Sequence, residues 1–390
     1  MKILIVDNVN YIDYPTGGIL SFYRSMLPAF CNDISLAGIT TDATTPVGTW
    51  TKKEINGTVY DYYSIKRVKP RAEKPLVPER IKYLFRMKRH IKNILSYQNY
   101  DIILTHNVIA VKCFPEEALK KTCLIMPGLG NSMLISRYKW AHGLAKFYDR
   151  HFLTDKPSRC KFILAAADRQ ACEDFAARSQ GRVKAEDIIT FPTRYDDQFF
   201  HQMNQQECRT KVGLNMMDTV FVTVGRLGWF KGWKFMIDSF TLVVREKVNS
   251  KLLFIGDGED QQKIEQYIID RGLQGKVLLC GKKSPKEIGI YLNASDVFIM
   301  GSYTEGWSTT LVEACACRLP CVVTNFSSAK EMIQNDVNGY VIEERDEALF
   351  SSMMLKAISM DREKITKYNN KFDTLALSNL KSDFLRVVNK

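Results

Sequence analysis

Two cations lie on a short loop with glycines at both ends, residues 225–232, and they are the first candidates for chemistry. Arg226 and Lys231 follow an apolar run typical of a strand, and a helical pattern begins directly after Gly232. The amides of a helix N-terminus favour anions, and two cations beside them suit an anion with spread charge, such as a diphosphate. The alternative is a basic loop that only meets solvent. Neither G-x4-G-K-[ST] nor G-x-G-x-x-G occurs in the sequence, so the loop is not one of those nucleotide motifs.

A pair of carboxylates, Glu305 and Glu313, is the second candidate. The run 297–300 is typical of a strand and Ser308 or Thr309 is a good N-cap, so Glu305 is predicted to precede a helix and Glu313 to lie within it. Carboxylates that accept from vicinal hydroxyls are a common means of holding a ribose or a hexose. The alternative for Glu313 is a helix-surface carboxylate. Its immediate neighbours are apolar, however, and an unpaired carboxylate would be costly there if buried.

Further polar residues follow predicted strands of the N-terminal half. His106 comes directly after strand 102–105 and is either a catalytic group facing a cleft or a capping or packing histidine. The clusters Asp168-Arg169 and Arg194-Tyr195-Asp196 could meet a second substrate. Ordinary loop charges are an equal alternative for both clusters.

Short β-rich apolar runs alternate with helical patterns, which predicts an α/β fold with parallel sheets covered by helices on both faces. The predicted strands are 2–6, 34–39, 58–64, 102–105, 123–126, 162–165, 188–191, 220–224, 251–255, 277–279, 297–300 and 321–323. The predicted helices are one that follows Gly18, then 79–97, 233–247, 260–271, 284–293, 308–317, 327–334, 346–358, 361–371 and 375–388. Ligands of such doubly wound sheets bind at the carboxyl ends of the strands.

Two domains of similar size are predicted, residues 1–200 and 201–372, with the polar segment 192–219 as the linker. The final stretch, 373–390, is predicted to form a helix that packs back on the first domain. Two facing lobes of this kind enclose a cleft, so we expect the ligand site there.

The net charge of +12 is concentrated between residues 66 and 92, where eleven Lys and Arg stand against two Glu. Such a patch predicts an anionic partner. Tyr83, Phe85 and Met87 make the stretch amphipathic, which favours docking on an anionic membrane surface. The alternative is a helix that covers its own sheet and has a solvated basic face. No nucleic-acid-binding motif accompanies the charge, so nucleic acid is not an expected partner.

The composition excludes several classes of protein. Apolar residues make up 45% and charged residues 25%, which is typical of a globular chain. No run approaches the ~20 apolar residues of a membrane span, and the N-terminus is typical of a strand rather than a signal peptide. A soluble cytoplasmic protein is therefore expected. The ten cysteines show no metal-binding spacing, which predicts reduced, buried thiols and no metal site.

The loop Gly-Arg-Leu-x3-Lys-Gly and the downstream spacing Glu-x7-Glu together resemble the retaining family-four glycosyltransferases of the GT-B fold. The similarity covers nearly all of the second predicted domain, in segments 224–232, 255–259, 295–298, 305–323 and 338–341. It is looser in the first domain, where it rests on Gly17-Gly18 and residues 192–199. The resemblance implies two facing doubly wound, Rossmann-like domains with an interdomain cleft.

The resemblance also implies roles for the charged candidates. Arg226 and Lys231 would neutralise the diphosphate of a nucleotide-sugar donor. Glu313 would hold the donor ribose hydroxyls, and Glu305 would contact the transferred sugar. His106 remains a candidate for a catalytic histidine in the cleft.

A larger set of loop positions would surround the donor. The glycines of the first domain would let its backbone approach the phosphate or the acceptor, and two positions after strand 277–279 would lie near the nucleobase. The set is Gly17, Gly18, Gly225, Gly281, Lys282, Gly306, Trp307, Ser308 and Thr309.

The function implied is a retaining, hexosyl-type glycosyltransferase of cell-surface polysaccharide synthesis. Its partners would be a UDP- or GDP-type nucleotide sugar and a glycan or polyprenyl-diphosphate-linked acceptor, at the inner face of the cell membrane. No cofactor and no metal are implied, and the sequence contains no Asp-x-Asp. The alternatives are a nucleotide-sugar epimerase or a glycan phosphorylase on the same frame, or a non-catalytic sugar- or membrane-binding partner. The intact set of charged candidates argues against a non-catalytic protein.

Two positions depart from the family pattern. Many members carry His-Gly after the strand equivalent to 123–126, where this sequence has Pro127-Gly128, so the role of that histidine is open here. The family's usual glycine at a second position is Arg318. If that position requires a positive φ, arginine would cost roughly 1 kcal/mol.

Overall fold

A computed structural model describes residues 1–15, 18–30, 33–69, 79–131, 133–134 and 139–389. The chain forms two compact units: Met1–Pro192 together with Leu380–Lys390, and Thr193–Asn379. The boundary lies at Pro192 rather than at the predicted residue 200, because Tyr195 and Phe200 pack in the core of the second unit.

The first unit contains an eight-stranded sheet. Its strands are β1 (Ile3–Val6), β2 (Ile34–Thr40), β3 (Trp50–Ile55), β4 (Thr58–Arg67), β5 (Ile102–Thr105), β6 (Thr122–Met126), β7 (Phe162–Ala165) and β8 (Ile188–Thr190). Their order is β3-β4-β2-β1-β5-β6-β7-β8, with β3 antiparallel to β4 and every other pair parallel. The strand order reverses between β1 and β5, which makes their carboxyl ends the switch point where ligands of such sheets bind.

The second unit contains a six-stranded, wholly parallel sheet. Its strands are β9 (Thr219–Val224), β10 (Ser250–Ile255), β11 (Val277–Leu279), β12 (Val297–Met300), β13 (Cys321–Thr324) and β14 (Gly339–Ile342). The order β11-β10-β9-β12-β13-β14 is that of a Rossmann sheet, and its switch point lies between β9 and β12.

Helices connect the strands in both units. They are α1 (Gly18–Ala29), α2 (Glu79–Leu95), α3 (Val108–Cys113), α4 (Glu116–Leu119), α5 (Ala145–Tyr148), α6 (Arg169–Arg178), α7 (Gln205–Val212), α8 (Trp233–Glu246), α9 (Gln261–Asp270), α10 (Pro285–Ala294), α11 (Thr309–Ala316), α12 (Ala329–Met332), α13 (Glu347–Ile358), α14 (Arg362–Asn369) and α15 (Leu380–Val388). A 3-10 turn, Trp229–Lys231, lies between β9 and α8.

Alternate residues of the central strands pack on opposite faces of the second sheet. All six residues of β9 are buried; Phe221 packs on the side of α8 and Val222 on the side of α11. Strands buried on both faces appear in sequence as continuous apolar runs, which is why the central strands could be predicted within one or two residues.

Strand β3 was missed because its sequence is mostly polar. It pairs with β4 through a turn at Asn56 and Gly57, whose φ values are 51° and 79°. Positive φ at both central residues is typical of the tight hairpin that an Asn-Gly pair favours. The signal for this strand was therefore the turn and not its hydrophobic pattern. Strand β14 was also missed, since only three apolar residues follow its opening glycine.

The predicted linker 192–219 contains helix α7. The helix has little apolar character and is anchored instead by Arg209, whose Nη2 lies 2.7 Å from Asp296 Oδ2 and whose Nε donates to the Ala294 carbonyl at 2.9 Å. A buried ion pair takes the place of an apolar stripe, so hydrophobic periodicity could not reveal the helix.

The last helix, α15, packs in the first unit. The Phe384 ring lies edge-on to Phe30 and Phe191, with centroid distances of 5.7 and 6.4 Å. The chain therefore returns to the first unit after residue 379.

Arg318 has a φ of 62°, so the position that is usually glycine in the family does require a left-handed backbone. Its guanidinium donates to the Asp373 carboxylate at 2.8 and 3.0 Å and to the Asn369 carbonyl at 3.0 Å. These bonds attach the end of α11 to the last residue of α14 and to the turn that follows it, and they offset the backbone strain.

Replacement of Arg318 separates these two effects. We expect Arg318→Gly to lower the free energy of unfolding by about 1 kcal/mol, because the lost charge-assisted bonds outweigh the relieved strain. Arg318→Ala keeps the strain and loses the bonds, so it should be about 1 kcal/mol worse than glycine. Urea unfolding of the three proteins tests the order; an alanine variant as stable as the glycine variant would show that the backbone is unstrained.

Candidate active site

The loop after β9 lies against the end of β12. Gly232 has a φ of 69°, and a Cβ there would lie 1.8 Å from the carbonyl oxygen of Gly301. A Cβ at Gly256, after β10, would lie 1.9 Å from the carbonyl oxygen of Gly225. Glycine is thus required at both positions because the strand-end loops pack backbone to backbone.

Lys231 and Glu305 come together at this switch point. The Lys231 ammonium donates to Glu305 Oε1, and Ser302 Oγ donates to the same oxygen at 2.8 Å. The Tyr303 amide donates to the Phe230 carbonyl at 2.8 Å, which joins the two loops. The side chains of Lys231 and Glu305 are 23% and 16% exposed, so the ion pair is accessible to a ligand.

Arg226 is also paired, but at the surface. Its Nε donates to Glu259 Oε2 at 2.8 Å, and the two side chains are 66% and 48% exposed. An exposed pair contributes little to stability, so the guanidinium can move to an arriving anion at small cost. The pocket between the loops is lined by Gly225, Arg226, Leu227, Lys231, Met300 and Ser302. Both predicted cations therefore line one pocket.

Glu313 lies in the middle of α11, whose N-cap is Ser308; the Ser308 Oγ accepts from the Leu311 amide. Burial raises the pKa of Glu313 to about 8. Within the described ranges its carboxylate has no hydrogen-bond partner, although the residue is partly accessible. A half-buried carboxylate without partners is suited to accept from hydroxyl groups of a ligand.

The other predicted positions between β12 and α11 differ in whether they are hydrogen-bonded. Ser328 Oγ donates to the Gly306 carbonyl at 2.9 Å, and Thr309 Oγ1 donates to Thr193 Oγ1 at 3.1 Å. The Trp307 Nε1 atom is buried and has no hydrogen-bond partner among the described residues.

Gly281 and Lys282 lie at the same carboxyl edge but beyond β10. The Gly256 amide donates to the Gly281 carbonyl at 3.0 Å, so Gly281 follows Gly225 and Gly256 in a row of strand-end glycines. Lys282 is exposed. The structure thus places both residues after β11 at the edge of the sheet, with β10 lying between β11 and the strand that precedes the cations, β9.

In the first unit, Gly18 begins α1, and a Cβ added there would meet no atom within 4 Å. Gly17 lies outside the described residues. Pro127-Gly128 follow β6 as predicted.

His106 directly follows β5, and its side chain is only 2% exposed. Its Nδ1 lies 2.8 Å from the hydroxyl of Tyr23, which donates to Asp7 Oδ2 at 2.8 Å. The histidine is therefore both packed and part of a polar network at the switch point of the first sheet.

The two charged clusters of the first half, at residues 168–169 and 194–196, make local structural contacts. Asp168 caps α6 by accepting from the Ala171 amide at 2.7 Å. Asp196 accepts from the Gln198 amide at 3.0 Å, and Arg194 donates to the Thr374 carbonyl at 2.8 Å. These contacts support the interpretation of both clusters as ordinary loop charges.

Sequence reasoning missed Arg345. Its Nη2 donates to the Gly301 carbonyl at 2.7 Å, and its guanidinium stacks 3.5 Å from the centre of the Tyr303 ring. Burial lowers the pKa of this arginine. Arg345 thus holds the loop that carries Glu305, and no spacing pattern connects the two residues in sequence. Ser302, Tyr23 and Asp7 were missed too, and only their places at strand ends or on α1 could have indicated them.

Known proteins are similar in sequence to the second unit of this chain. Residues 204–372 match the model of the family Glycosyl transferases group 1. The chain is 28% identical over 174 residues to the UDP-Gal:alpha-D-GlcNAc-diphosphoundecaprenol alpha-1,3-galactosyltransferase of Escherichia coli, which covers 43% of this chain and 44% of that protein. The chain spans less than half the length of the curated relatives that it matches.

Solved structures match over both units. A sucrose-phosphate synthase from Thermosynechococcus elongatus has a TM-score of 0.75 at 13% identity and covers 100% of this chain and 98% of its own. HepE from Anabaena, in complex with UDP and glucose, has a TM-score of 0.69 at 15% identity and covers 100% of both chains. These matches give no support to the epimerase alternative. The chain therefore has the GT-B fold, and its residues 204–372 are similar to the family Glycosyl transferases group 1.

Proposed function

We propose that the protein is a retaining glycosyltransferase that moves a hexosyl group from a nucleoside-diphosphate sugar to a saccharide or lipid-linked acceptor. The observation that carries this proposal is the meeting of Lys231 and Glu305 at the switch point of the second sheet. Glu313, on the helix after β12, supports it, because its carboxylate has no hydrogen-bond partner among the residues that the structure describes. The matches to glycosyltransferases are consistent with these side chains binding a donor.

The chemistry follows from the residue types. As the bond between the anomeric carbon and the diphosphate oxygen breaks, negative charge develops on the leaving diphosphate. Lys231 and Arg226 would stabilise that charge, and Glu305 would hold the sugar. The acceptor oxygen bonds to the anomeric carbon on the same face, and its proton passes to the leaving phosphate. No protein nucleophile, cofactor or metal is needed for this step.

The donor proposed is of the UDP type. HepE from Anabaena is known in complex with UDP and glucose and in complex with UDP-glucose, and the Escherichia coli relative is named for UDP-Gal. A GDP sugar is the alternative. The same relative is named for a diphosphoundecaprenol acceptor, which supports a lipid-linked acceptor and a role in cell-surface polysaccharide synthesis for this chain as well.

A panel of UDP-, GDP-, ADP- and dTDP-sugars tests the proposal by thermal shift and by hydrolysis, with and without EDTA. A ligand that binds only the folded protein raises its Tm. We expect one UDP sugar to raise the Tm and to be hydrolysed slowly, equally well in EDTA. The anomeric configuration of the product, read by NMR, tests retention. If no nucleotide sugar shifts the wild type while a glycan or vesicle does, the protein is a binding partner and not a transferase.

We also place the enzyme at an anionic membrane surface, through helix α2. The buried face of α2 includes Tyr83 and Met87, which pack in the first unit. Its outer face exposes Ile81 and Phe85, and the Phe85 side chain is 67% exposed. Five basic residues of the same helix are exposed: Lys82, Arg86, Lys88, Arg89 and Lys92. Residues 70–78 of the basic stretch lie outside the described residues. No helix in the described part of the chain is both long enough and apolar enough to cross a bilayer.

Replacement of Phe85 tests the docking. We expect Phe85→Ser to weaken binding to vesicles of anionic lipid by about tenfold, because an aromatic ring no longer inserts between the headgroups. Phe147→Ser is the matched control, since Phe147 is 55% exposed but lies on α5. Co-sedimentation measures both. Equal loss in the two variants, or equal binding to neutral vesicles, would contradict docking through α2.

A further inference from the structure

Three groups meet around the Asp7 carboxylate at the switch point of the first sheet. Its Oδ1 accepts from the Asn8 amide at 2.7 Å. Its Oδ2 accepts from the His106 amide at 2.9 Å and from the Tyr23 hydroxyl at 2.8 Å. Because all three contacts are donors, the Asp7 side chain acts here only as an acceptor.

The single proton of Tyr23 is therefore committed to Asp7. Burial, with the nearby charge of Asp7, raises the pKa of Tyr23, so the phenol keeps this proton. The phenol oxygen then has only lone pairs to offer to His106 Nδ1, which lies 2.8 Å away. A contact of this length between the two atoms requires that Nδ1 carry a proton.

The ring of His106 is also held by packing. It stands edge-on to the rings of Phe22 and Tyr23, each with a centroid distance of 4.9 Å. Its backbone is set between the end of β5 and Asn107, which caps α3 by accepting from the amides of Ile109 and Ala110. The imidazole can neither turn over nor leave the network without disrupting these contacts.

We propose that Tyr23 and Asp7 are positioning residues that hold a proton on Nδ1 of His106, so that the form of the ring with a single proton has its open lone pair on Nε2. Among the described residues, Nε2 has no hydrogen-bond partner. The ligand for that lone pair is a hydroxyl group of a sugar, which donates to Nε2. The tautomer stands on the contacts of the chain itself, whereas the ligand rests on the proposed function.

The tautomer can be read directly, because the chain has only five histidines. Two-bond nitrogen–proton NMR spectra of the full chain, with labelled histidine, distinguish protonated from bare ring nitrogens. The spectra are taken at a pH above the ordinary range of histidine titration. His106→Asn assigns the signal by removing it. We expect Nδ1 of His106 to be protonated and Nε2 to be bare; a protonated Nε2 would overturn the proposal, whether or not the protein transfers sugar.

Two tyrosine variants test whether Tyr23 positions the His106 ring and whether that position affects the rate of sugar transfer. Tyr23→Phe removes the acceptor of the Nδ1 proton, and Asp7 Oδ2 lies 3.6 Å from Nδ1, beyond hydrogen-bonding distance. We expect the His106 signals to report loss of the single tautomer. The kcat of transfer should fall about tenfold, and the KM for the nucleotide sugar should stay within twofold.

Tyr11→Phe is the matched control, because Tyr11 belongs to the same buried aromatic cluster. Its ring lies 5.3 Å from that of Tyr23, but its hydroxyl donates to the Ala37 carbonyl at 2.9 Å and not toward His106. This variant should keep both the tautomer and the kcat. If the two variants changed the tautomer and the kcat equally, the Tyr23 hydroxyl would not position His106, and the residues would contribute through packing alone. If no nucleotide sugar is turned over at all, the proposed function fails while the NMR result still decides the tautomer.

Discussion

Lys231→Ala should lower the kcat of sugar transfer by about 10²–10³-fold, the loss typical when one fixed group that stabilises developing charge is removed. Lys231 is the less exposed of the two cations that line the pocket, and its ammonium lies at the junction of the β9 and β12 loops. Arg226→Ala should cost less, because its side chain is mostly exposed and its guanidinium is already paired with Glu259. Steady-state transfer kinetics compare the two variants.

The partner of Lys231 makes the prediction more specific. Glu305 and an arriving diphosphate compete for the same ammonium, so Glu305→Gln should free Lys231 and tighten the binding of the free nucleoside diphosphate. The same variant should lower kcat, since the proposed contact of Glu305 with the sugar is weakened. Tighter product binding with slower transfer is a combination that general damage to the site would not produce.

The double variant Lys231→Ala with Glu305→Gln isolates the interaction. If the two residues act as a pair, the gain in nucleotide affinity from Glu305→Gln disappears once Lys231 is absent, and the two effects are not additive. Additive effects on nucleotide affinity would mean that the ion pair does not compete with the ligand. Circular dichroism and Tm values of all three proteins establish that each is folded.

The central strands and most helices could be predicted because burial on both faces and amphipathic faces leave direct patterns in sequence. The pairing of Lys231 with Glu305 is different. It depends on β9 and β12 being neighbours across the switch point, and a list of strands does not state their order. The resemblance to a known family implied doubly wound, Rossmann-like domains without stating the order of these strands, and the structure confirms the GT-B fold.

Contacts between side chains that are distant in sequence could not be predicted from any sequence pattern. His106 is linked to Tyr23 on α1, 83 positions away in sequence, and the choice between a catalytic and a packing histidine could not be made without that contact. Arg345 reaches the loop of Glu305 from the segment after β14. Each such contact depends on side-chain directions in the folded unit, which sequence spacing does not encode.

The second large effect is expected at Glu313, which should control both the affinity for the donor and the pH dependence of that affinity. Burial raises the pKa of Glu313 to about 8, so in the free protein near neutral pH the group is mostly protonated. Two ribose hydroxyls that donate to the carboxylate favour its ionised form. Donor binding should therefore release a proton, and the Kd should fall as the pH rises from about 6 to 9. A nucleotide sugar is the proper ligand, because its diphosphate does not titrate in this window.

The raised pKa of Glu313 also predicts how the stability of the protein depends on pH. An acid whose pKa is higher in the folded protein binds its proton more tightly there than in the unfolded chain. The free energy of unfolding should thus fall as the pH rises from the ordinary range of glutamate toward 8. Glu313→Gln removes this dependence. Its Tm should match that of the wild type near pH 5 and exceed it near pH 9, whereas Glu265→Gln, at an exposed position of α9, should not change the difference.

Glu313→Ala should weaken the binding of the donor by about 100-fold, since two hydrogen bonds to a charged acceptor are lost. The pH dependence of Kd should vanish in the same variant, because the titrating group is gone. Calorimetry in buffers of different ionisation enthalpy measures the affinity and the released proton together. A donor analogue with 2′-deoxyribose is the matched ligand control: it lacks one of the two hydroxyls and should lose part of the affinity in the wild type but nothing in Glu313→Ala. If the deoxy analogue loses equally in both proteins, the ribose is held elsewhere and Glu313 is a buried carboxyl of the helix alone.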